Sequence, residues 1–144
     1  MKENIFSDRD IKDFLIEKGI KPTLIRIKVL EYLWSTKEHP DAEKIFNEVI
    51  KYIPTLSMTS IYNTLNNFVE KGIVIPIKIE EGVVRYDGDT KSHGHFKCVK
   101  CGKILDIDIE QDIFKNSIKE GQILEEHIYI IGICNECLNK QEGR

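Results

Sequence analysis

The four cysteines of this 144-residue chain form two CxxC pairs, Cys98 with Cys101 and Cys134 with Cys137. Each pair can present both sulfurs from one tight turn, so two pairs can surround a single ion tetrahedrally. The 32 residues between Cys101 and Cys134 exceed the usual zinc-ribbon gap, so a small domain should fold between the pairs. The pattern predicts one structural zinc ion held by four thiolates. The alternative, two disulfides, needs an oxidising compartment.

Histidines and aspartates form a second group of candidate ligands. His93 and His95 are separated by one residue, so their side chains share a face if the segment is extended. The aspartates that bracket them are Asp87, Asp89, Asp106 and Asp108. Nitrogen and oxygen donors without thiolate suit divalent iron, manganese or zinc better than copper(I). We therefore expect a second metal site here, whereas His127, taken alone, is expected to be structural.

Charge and composition limit the classes of function. The net charge is −3, which argues against binding nucleic acid through bulk positive potential, so DNA binding would need a local surface. The first ten residues are charged and lack the apolar core of a signal peptide, and no apolar run approaches the roughly 18 residues of a membrane span. We expect a cytoplasmic protein whose thiols stay reduced.

Four helices followed by a β-hairpin are predicted for the first half of the chain. Capping residues precede three of the apolar helical patterns, and Gly82 lies in the expected turn between strands at 73–79 and 83–86. The capping residues are Ser7, Asp41 and Ser57, and Pro22-Thr23 opens the remaining helix. This order is typical of a winged helix-turn-helix, in which the last helix before the hairpin enters the major groove.

The predicted fourth helix has a composition that suits DNA. No acidic residue occurs between Glu48 and Glu70. The expected outward face is Met58, Thr59, Tyr62, Asn63, Asn66 and Asn67. Ser57 and the free N–H groups of the first turn can hold phosphates, while Tyr62 and Asn63 can reach base edges. The alternative is a solvated polar face, which would normally carry glutamate and lysine.

The fold class predicted for the whole chain is α+β, with a winged-helix DNA-binding domain at 1–88 and a small α/β dimerisation and metal-binding domain at 93–144. Residues 89–92 are the expected linker. The second domain should contain strands at 96–98 and 104–109, a helix near 109–119 and strands at 123–124 and 127–133, in an antiparallel sheet. The strand at 129–133 is too apolar for a solvated edge, which suggests burial against another subunit.

The chain resembles the ferric uptake regulator family across nearly its full length. The matching segments are Lys21-Pro22-Thr23 with Arg26, His39-Pro40, 57–65, Arg85-Tyr86-Asp87, 93–98, 101–106, and 127–134 with Cys137. The resemblance implies a homodimeric, metal-dependent bacterial transcriptional repressor with structural Zn(2+) on the four cysteines. The regulatory ion, Fe(2+) or Mn(2+), would be bound by His39, Asp87, His93, His95 and Asp106. The residues expected to bind operator DNA are Arg26, Ser57, Thr59, Tyr62 and Asn63.

Aspartate at both 87 and 106 resembles the peroxide-sensing branch of that family, because iron-sensing members tend to have glutamate at these positions. The alternatives are an iron-responsive or a zinc-responsive repressor. Ile25 and Asn63 depart from the glutamine and arginine usual there, which leaves the operator sequence open. Lys91 and Ser92 stand where members with a further metal site carry a histidine, so a third site is not expected.

Two other classes of function fit the residues less well. An enzyme could use the histidine pair and an aspartate to activate a zinc-bound water, but the sequence offers no evident general base. A zinc-stapled interaction module without DNA contact would leave the acid-free helix unexplained. We expect a regulator rather than an enzyme, with no small-molecule partner except peroxide as its signal.

Overall fold

The structure is a computed structural model, and it describes residues 8–91, 93–110 and 113–142. The chain forms two compact units that divide between Thr90 and Lys91. The first unit contains α1 (Asp8–Glu17), α2 (Leu24–Ser35), α3 (Ala42–Val49), α4 (Met58–Glu70), β1 (Ile75–Glu80) and β2 (Val83–Asp87). The second unit contains β3 (His93–Cys98), β4 (Ile104–Asp108), β5 (Tyr129–Gly132) and α5 (Asn135–Glu142).

Three helices of the first unit begin at side chains that cap them. In each case an oxygen of the capping residue accepts a hydrogen bond from the backbone N–H three positions later, a group that the helix itself leaves unsatisfied. The pairs are Thr23 with Arg26, Asp41 with Lys44 and Ser57 with Ser60, at 3.4, 2.9 and 3.1 Å. These three predicted helix starts are confirmed. Ser7, the expected cap of α1, lies outside the described residues.

The four helices enclose one apolar core. Ile61, Leu65 and Phe68 lie on one face of α4 and are fully buried against the other helices. Strands β1 and β2 pair antiparallel after α4, and the turn between them contains Gly82 at φ 75°, a conformation that glycine adopts without a steric penalty. A helical core followed by this hairpin is a winged helix, so the predicted α+β fold class is confirmed.

A three-stranded sheet in the order β4-β3-β5 forms the second unit. Strand β3 pairs antiparallel with β4 and places His95 opposite Asp106. The predicted sheet was wholly antiparallel, and this is wrong for β5, which runs parallel to β3 with His95 opposite Tyr129. The long connection from β4 allows β5 to return in the same direction as β3, since parallel pairing needs a connection of a dozen residues or more.

The predicted helix near 109–119 is also wrong for the described part of that segment. Residues 113–117 form turns, and residues 111 and 112 lie outside the described residues. The apolar side chains of Ile113, Phe114 and Ile118 are 52%, 41% and 49% exposed. A short helix gains most of its stability from packing, and here these side chains have little apolar surface to pack against. The predicted strand at 123–124 is likewise absent, because this segment pairs with no strand.

Candidate metal centres and nucleic-acid interface

The four cysteines come together at one end of the second unit. The sulfurs of Cys98 and Cys137 lie 3.8 Å apart, as do those of Cys101 and Cys134, and one ligand atom from each residue lies within 4.8 Å of all the others. A tetrahedral ion with bonds of about 2.3 Å to sulfur requires S–S separations of roughly 3.8 Å. A disulfide requires about 2.05 Å, so none of the four is cross-linked.

The backbone prepares these sulfurs for a cation. The N–H of Cys134 donates to Sγ of Cys98 at 3.3 Å, and this bond is the main cause that lowers the pKa of the Cys98 thiol to about 6. The pKa of Cys137 instead rises to about 12, chiefly through its hydrogen bond with the Cys134 thiol. The backbone therefore stabilises a thiolate at Cys98, and a divalent cation can replace the proton on Cys137. The cluster fits a structural zinc ion.

His93, His95 and Asp106 form a second cluster on the same sheet. Nε2 of His93 lies 3.0 Å from Nε2 of His95, and Oδ1 of Asp106 lies 3.3 and 3.5 Å from these two nitrogens. The histidines share a face of β3 because side chains alternate along a strand, and Asp106 reaches them from β4. Bonds of about 2.1 Å to one ion would place such donors roughly 3 Å apart.

The tautomer of His93 follows from its other ring nitrogen. Nδ1 lies 2.6 Å from the carbonyl oxygen of Lys91, which can only accept, so Nδ1 carries the proton and donates. In the neutral ring, the Nε2 lone pair then faces His95 and Asp106. A metal-binding histidine commonly has its second nitrogen fixed in this way by a carbonyl group. The donors fit a divalent ion that prefers nitrogen and oxygen, as expected for iron or manganese.

His39 and Asp87 are brought together in the first unit. Nε2 of His39 lies 3.3 Å from Oδ2 of Asp87, and both residues are buried, with 2% and 7% exposed. Oδ1 of Asp87 accepts the N–H of Asp89 at 2.8 Å, which leaves Oδ2 directed at the imidazole. Of the five ligands predicted for the regulatory ion, the structure thus assembles two in the first unit and three in the second.

Four of the five predicted DNA-binding residues lie on α4 or at its N-terminal cap. Ser57 caps the helix and its Oγ lies 2.9 Å from Oγ of Ser60, while Thr59, Tyr62 and Asn63 are exposed. Tyr62, the largest of them, is 49% exposed, which leaves its ring available to a partner. Asn66 is exposed as well. The expected outward face was too wide, because Met58 packs against the core and Asn67 is half-buried.

The side chains of Arg26 and Arg85 both donate hydrogen bonds to backbone carbonyl groups of the first unit. The guanidinium of Arg26, on α2, donates to the carbonyl oxygen of Lys21 at 2.9 Å and is half-buried. Arg85 was part of a matched motif but had no predicted role. Its guanidinium donates to the carbonyl oxygen of His39 at 3.3 Å. The contact spans 46 positions, so no local pattern could have revealed it.

His127 lies apart from both clusters of the second unit. Its Nε2 is 3.0 Å from Oε2 of Glu125, and both side chains are exposed. Its ring centroid is 6.3 Å from that of Tyr129 on β5. One imidazole and one neighbouring carboxylate fall short of the three or four protein ligands of a typical metal site. The structural role of His127 stays a prediction.

The sequence profile of the ferric uptake regulator family matches residues 17–131. The chain belongs to this family. A peroxide-responsive repressor from Staphylococcus epidermidis is 32% identical over 133 residues, which cover 90% of this chain and 87% of that protein. The members of the family are transcription regulators, which agrees with the expectation of a protein that is not an enzyme.

Solved structures of family members share the fold. The peroxide stress regulator of Campylobacter jejuni superposes with a TM-score of 0.67 at 23% identity, covering 90% of this chain and 97% of that one. A zinc uptake regulator complexed with zinc and DNA superposes with a TM-score of 0.73 at 15% identity, covering 99% of each chain. In the part of the chain that the structure describes, no helix is long and apolar enough to cross a membrane.

Proposed function

We propose that this member of the ferric uptake regulator family is a DNA-binding repressor that senses peroxide through a regulatory Fe(2+) or Mn(2+) site. The proposal rests on two groups of donors, the pair His39 and Asp87 in the first unit and the cluster His93, His95 and Asp106 in the second. Every thiol of the chain lies in a separate four-sulfur cluster. The identity of 32% with a peroxide-responsive repressor supports this branch. Reduced thiolates require a reducing compartment, so the protein acts in the cytoplasm.

The regulatory ion would act by joining ligands from both units. His39 and Asp87 would come from residues 1–88, and His93, His95 and Asp106 from residues 93–144. One ion bound by all five would fix the arrangement of the two units and, in a dimer, the spacing of the two recognition helices. DNA then selects the metal-bound state, and by linkage DNA tightens metal binding. Moving such an equilibrium from 1:99 to 99:1 takes about 5.5 kcal/mol of differential affinity.

Operator DNA would be bound through α4. The exposed Tyr62 and Asn63 are assigned to base edges, and Ser57 and Thr59 to phosphates near the start of the helix. Arg26 on α2 is assigned to the DNA backbone. The helix has no acidic residue in its first turn, so nothing there repels the phosphates. The chain would thus bind DNA through a local surface, as its net charge of −3 requires.

The repressor would act as a homodimer, with residues 93–144 as the dimerisation domain. Strand β5 is an edge of its sheet, and Ile130 and Ile131 are 46% and 55% exposed there. An exposed apolar edge strand is a surface that proteins usually cover. The resemblance to the ferric uptake regulator family implies a homodimer, so a second copy of this chain is the proposed cover.

Sensing would damage the ligand set. A ferrous ion held by these residues would supply the one-electron chemistry that converts hydrogen peroxide into an oxidant. The net change is the transfer of one oxygen atom of peroxide to a ring carbon of His39 or His95, while the other leaves as water. The altered ring would lose a nitrogen donor, which would weaken the binding of the ion by the remaining ligands. The cysteines, held as zinc thiolates, should react later.

Peptide mass spectrometry after brief peroxide treatment tests this proposal. The iron form should gain one oxygen on the peptide containing His39 or His95 and should lose DNA binding in a mobility-shift assay. The manganese form is the matched control and should keep both its histidines and its affinity, because Mn(2+) resists oxidation by this route. Unmodified histidines beside oxidised cysteines would contradict peroxide sensing, as would an iron form that keeps binding DNA. Either result would favour an iron- or zinc-responsive repressor.

A further inference from the structure

The backbone of His39 adopts an unusual conformation. Its φ is 55°, and among the described residues it is the one non-glycine residue with a positive φ. The left-handed region brings Cβ close to neighbouring backbone atoms, so residues other than glycine enter it only where other contacts hold them. His39 is also 2% exposed, so its conformation is fixed by the protein around it rather than by water.

Strand β2 provides the contacts that hold the backbone turn at His39 and Pro40. The guanidinium of Arg85 donates to the carbonyl oxygen of His39 at 3.3 Å, and the N–H of Tyr86 donates to the carbonyl oxygen of Pro40 at 2.9 Å. An isolated β-bridge also joins Arg85 to Asp41. The next residue along β2 is Asp87, whose carboxylate faces the imidazole of His39. Consecutive residues of β2 therefore fix both the backbone and the ring of His39.

Arg85 is itself held in place by Glu80. Nε of Arg85 donates to Oε1 of Glu80, and the two side chains are 28% and 19% exposed. A guanidinium can bind a carboxylate through one nitrogen while another nitrogen reaches a carbonyl group, because its donors have a fixed planar arrangement. The ammonium of lysine lacks this geometry. The ion pair with Glu80 thus directs one N–H of Arg85 at the carbonyl oxygen of His39.

We propose that Arg85, held by Glu80, is a positioning residue for the regulatory metal. It keeps His39 in the left-handed turn, so that the imidazole lies beside Asp87 before an ion arrives. The inference rests on the proposed function, because it takes His39 and Asp87 as ligands of that ion. The β-hairpin of β1 and β2 thereby takes part in metal sensing, since β2 carries both Arg85 and the ligand Asp87.

Manganese titration of zinc-loaded protein tests the inference. Arg85→Gln should weaken Mn(2+) binding about 10-fold, the usual effect of losing a residue that orients a metal ligand. Arg85→Lys and Glu80→Gln should weaken it less. Lys51→Gln is the control, because it removes a cation that pairs with Glu48 on the surface of the same unit, and it should bind Mn(2+) like the wild type.

Hydrogen exchange provides a readout without metal. Arg85→Gln should expose the Tyr86 amide, which donates to the turn, while zinc content and the protection of α1–α4 stay as in the wild type. This pattern separates a loosened turn from a misfolded protein. Unchanged protection of Tyr86 together with unchanged Mn(2+) affinity would overturn the inference.

The effect of Arg85→Gln in a His39→Gly protein distinguishes the positioning of His39 from a general effect on stability. His39→Gly removes the imidazole and adopts the left-handed turn without strain. If Arg85 acts through His39, Arg85→Gln should have no further effect on Mn(2+) affinity in the His39→Gly protein. An equal loss in both backgrounds would overturn the inference and leave the proposed function standing. If His39→Gly itself bound Mn(2+) as tightly as the wild type, the ligand assignment of the proposed function would fail instead.

Discussion

Replacing Cys134 with serine should unfold the second unit and leave the first unit folded. Among its described residues, Lys91–Arg144 has three buried hydrophobic side chains, Cys98, Ile104 and Cys134, and two of these are cysteines of the metal cluster. The cluster therefore takes the place of an apolar core. The first unit has its own core of helical residues, including the fully buried Phe68, and does not depend on the sulfurs.

The magnitude follows from the size of the second unit. At the usual 0.05–0.15 kcal/mol per residue, a domain spanning Lys91–Arg144 would have a free energy of unfolding of about 3–8 kcal/mol. Structural zinc contributes about 10–16 kcal/mol of apparent binding energy in small zinc-binding peptides. Losing a thiolate ligand that is 6% exposed removes much of that energy, which exceeds the expected stability of the unit. The dimer should be lost with it.

Zinc content and hydrogen exchange, measured on the same samples, test this prediction. Cys134→Ser should carry no zinc, and the amides of β3, β4 and β5 should exchange freely while those of α1–α4 stay protected. Val99→Ser is the control, because Val99 lies between the ligands Cys98 and Cys101 and is 58% exposed, so this variant should keep zinc and protection. A zinc-free Cys134→Ser protein with wild-type protection in β3 would refute the reasoning.

Three further predictions concern DNA and packing. Tyr62→Ala should weaken specific operator binding by about 1–3 kcal/mol, the scale of a lost base contact. The salt dependence of binding, measured by fluorescence anisotropy over a salt series, should change little because no cation is removed. A steep change in salt dependence would contradict a base contact. His39→Ala should bind operator weakly even in saturating manganese, and wild-type affinity would disprove the joining of the two units by the ion. Gly132→Ala should destabilise the second unit by roughly 1–3 kcal/mol in denaturant unfolding, because the new Cβ would lie 2.8 Å from the ring of Phe96. Gly121→Ala, whose Cβ would lie 3.6 Å from its nearest neighbour, should be tolerated, and equal losses would contradict the steric argument.

The sequence by itself determined the features that depend on neighbouring residues. Three helix starts could be predicted from their capping residues, Thr23, Asp41 and Ser57. A cap needs only a side-chain oxygen and the backbone N–H of the residue three positions later. The two CxxC pairs likewise indicated a four-thiolate cluster, because each pair is a local turn with a fixed chemistry. The ligand types of the second metal site, histidine and aspartate, could also be predicted, since the amino-acid sequence gives the residue types without knowledge of the fold.

Only the tertiary structure decided the features that depend on distant residues. The direction of β5 is one, because alternating side chains look the same in parallel and antiparallel pairs, and the partner strand sets the direction. The absence of a helix at 113–117 is another, because a marginal helix forms only where packing supports it. The contact of Arg85 with His39 joins residues 46 positions apart. A pattern in the sequence encodes what a residue can do, whereas packing decides which distant partner it meets.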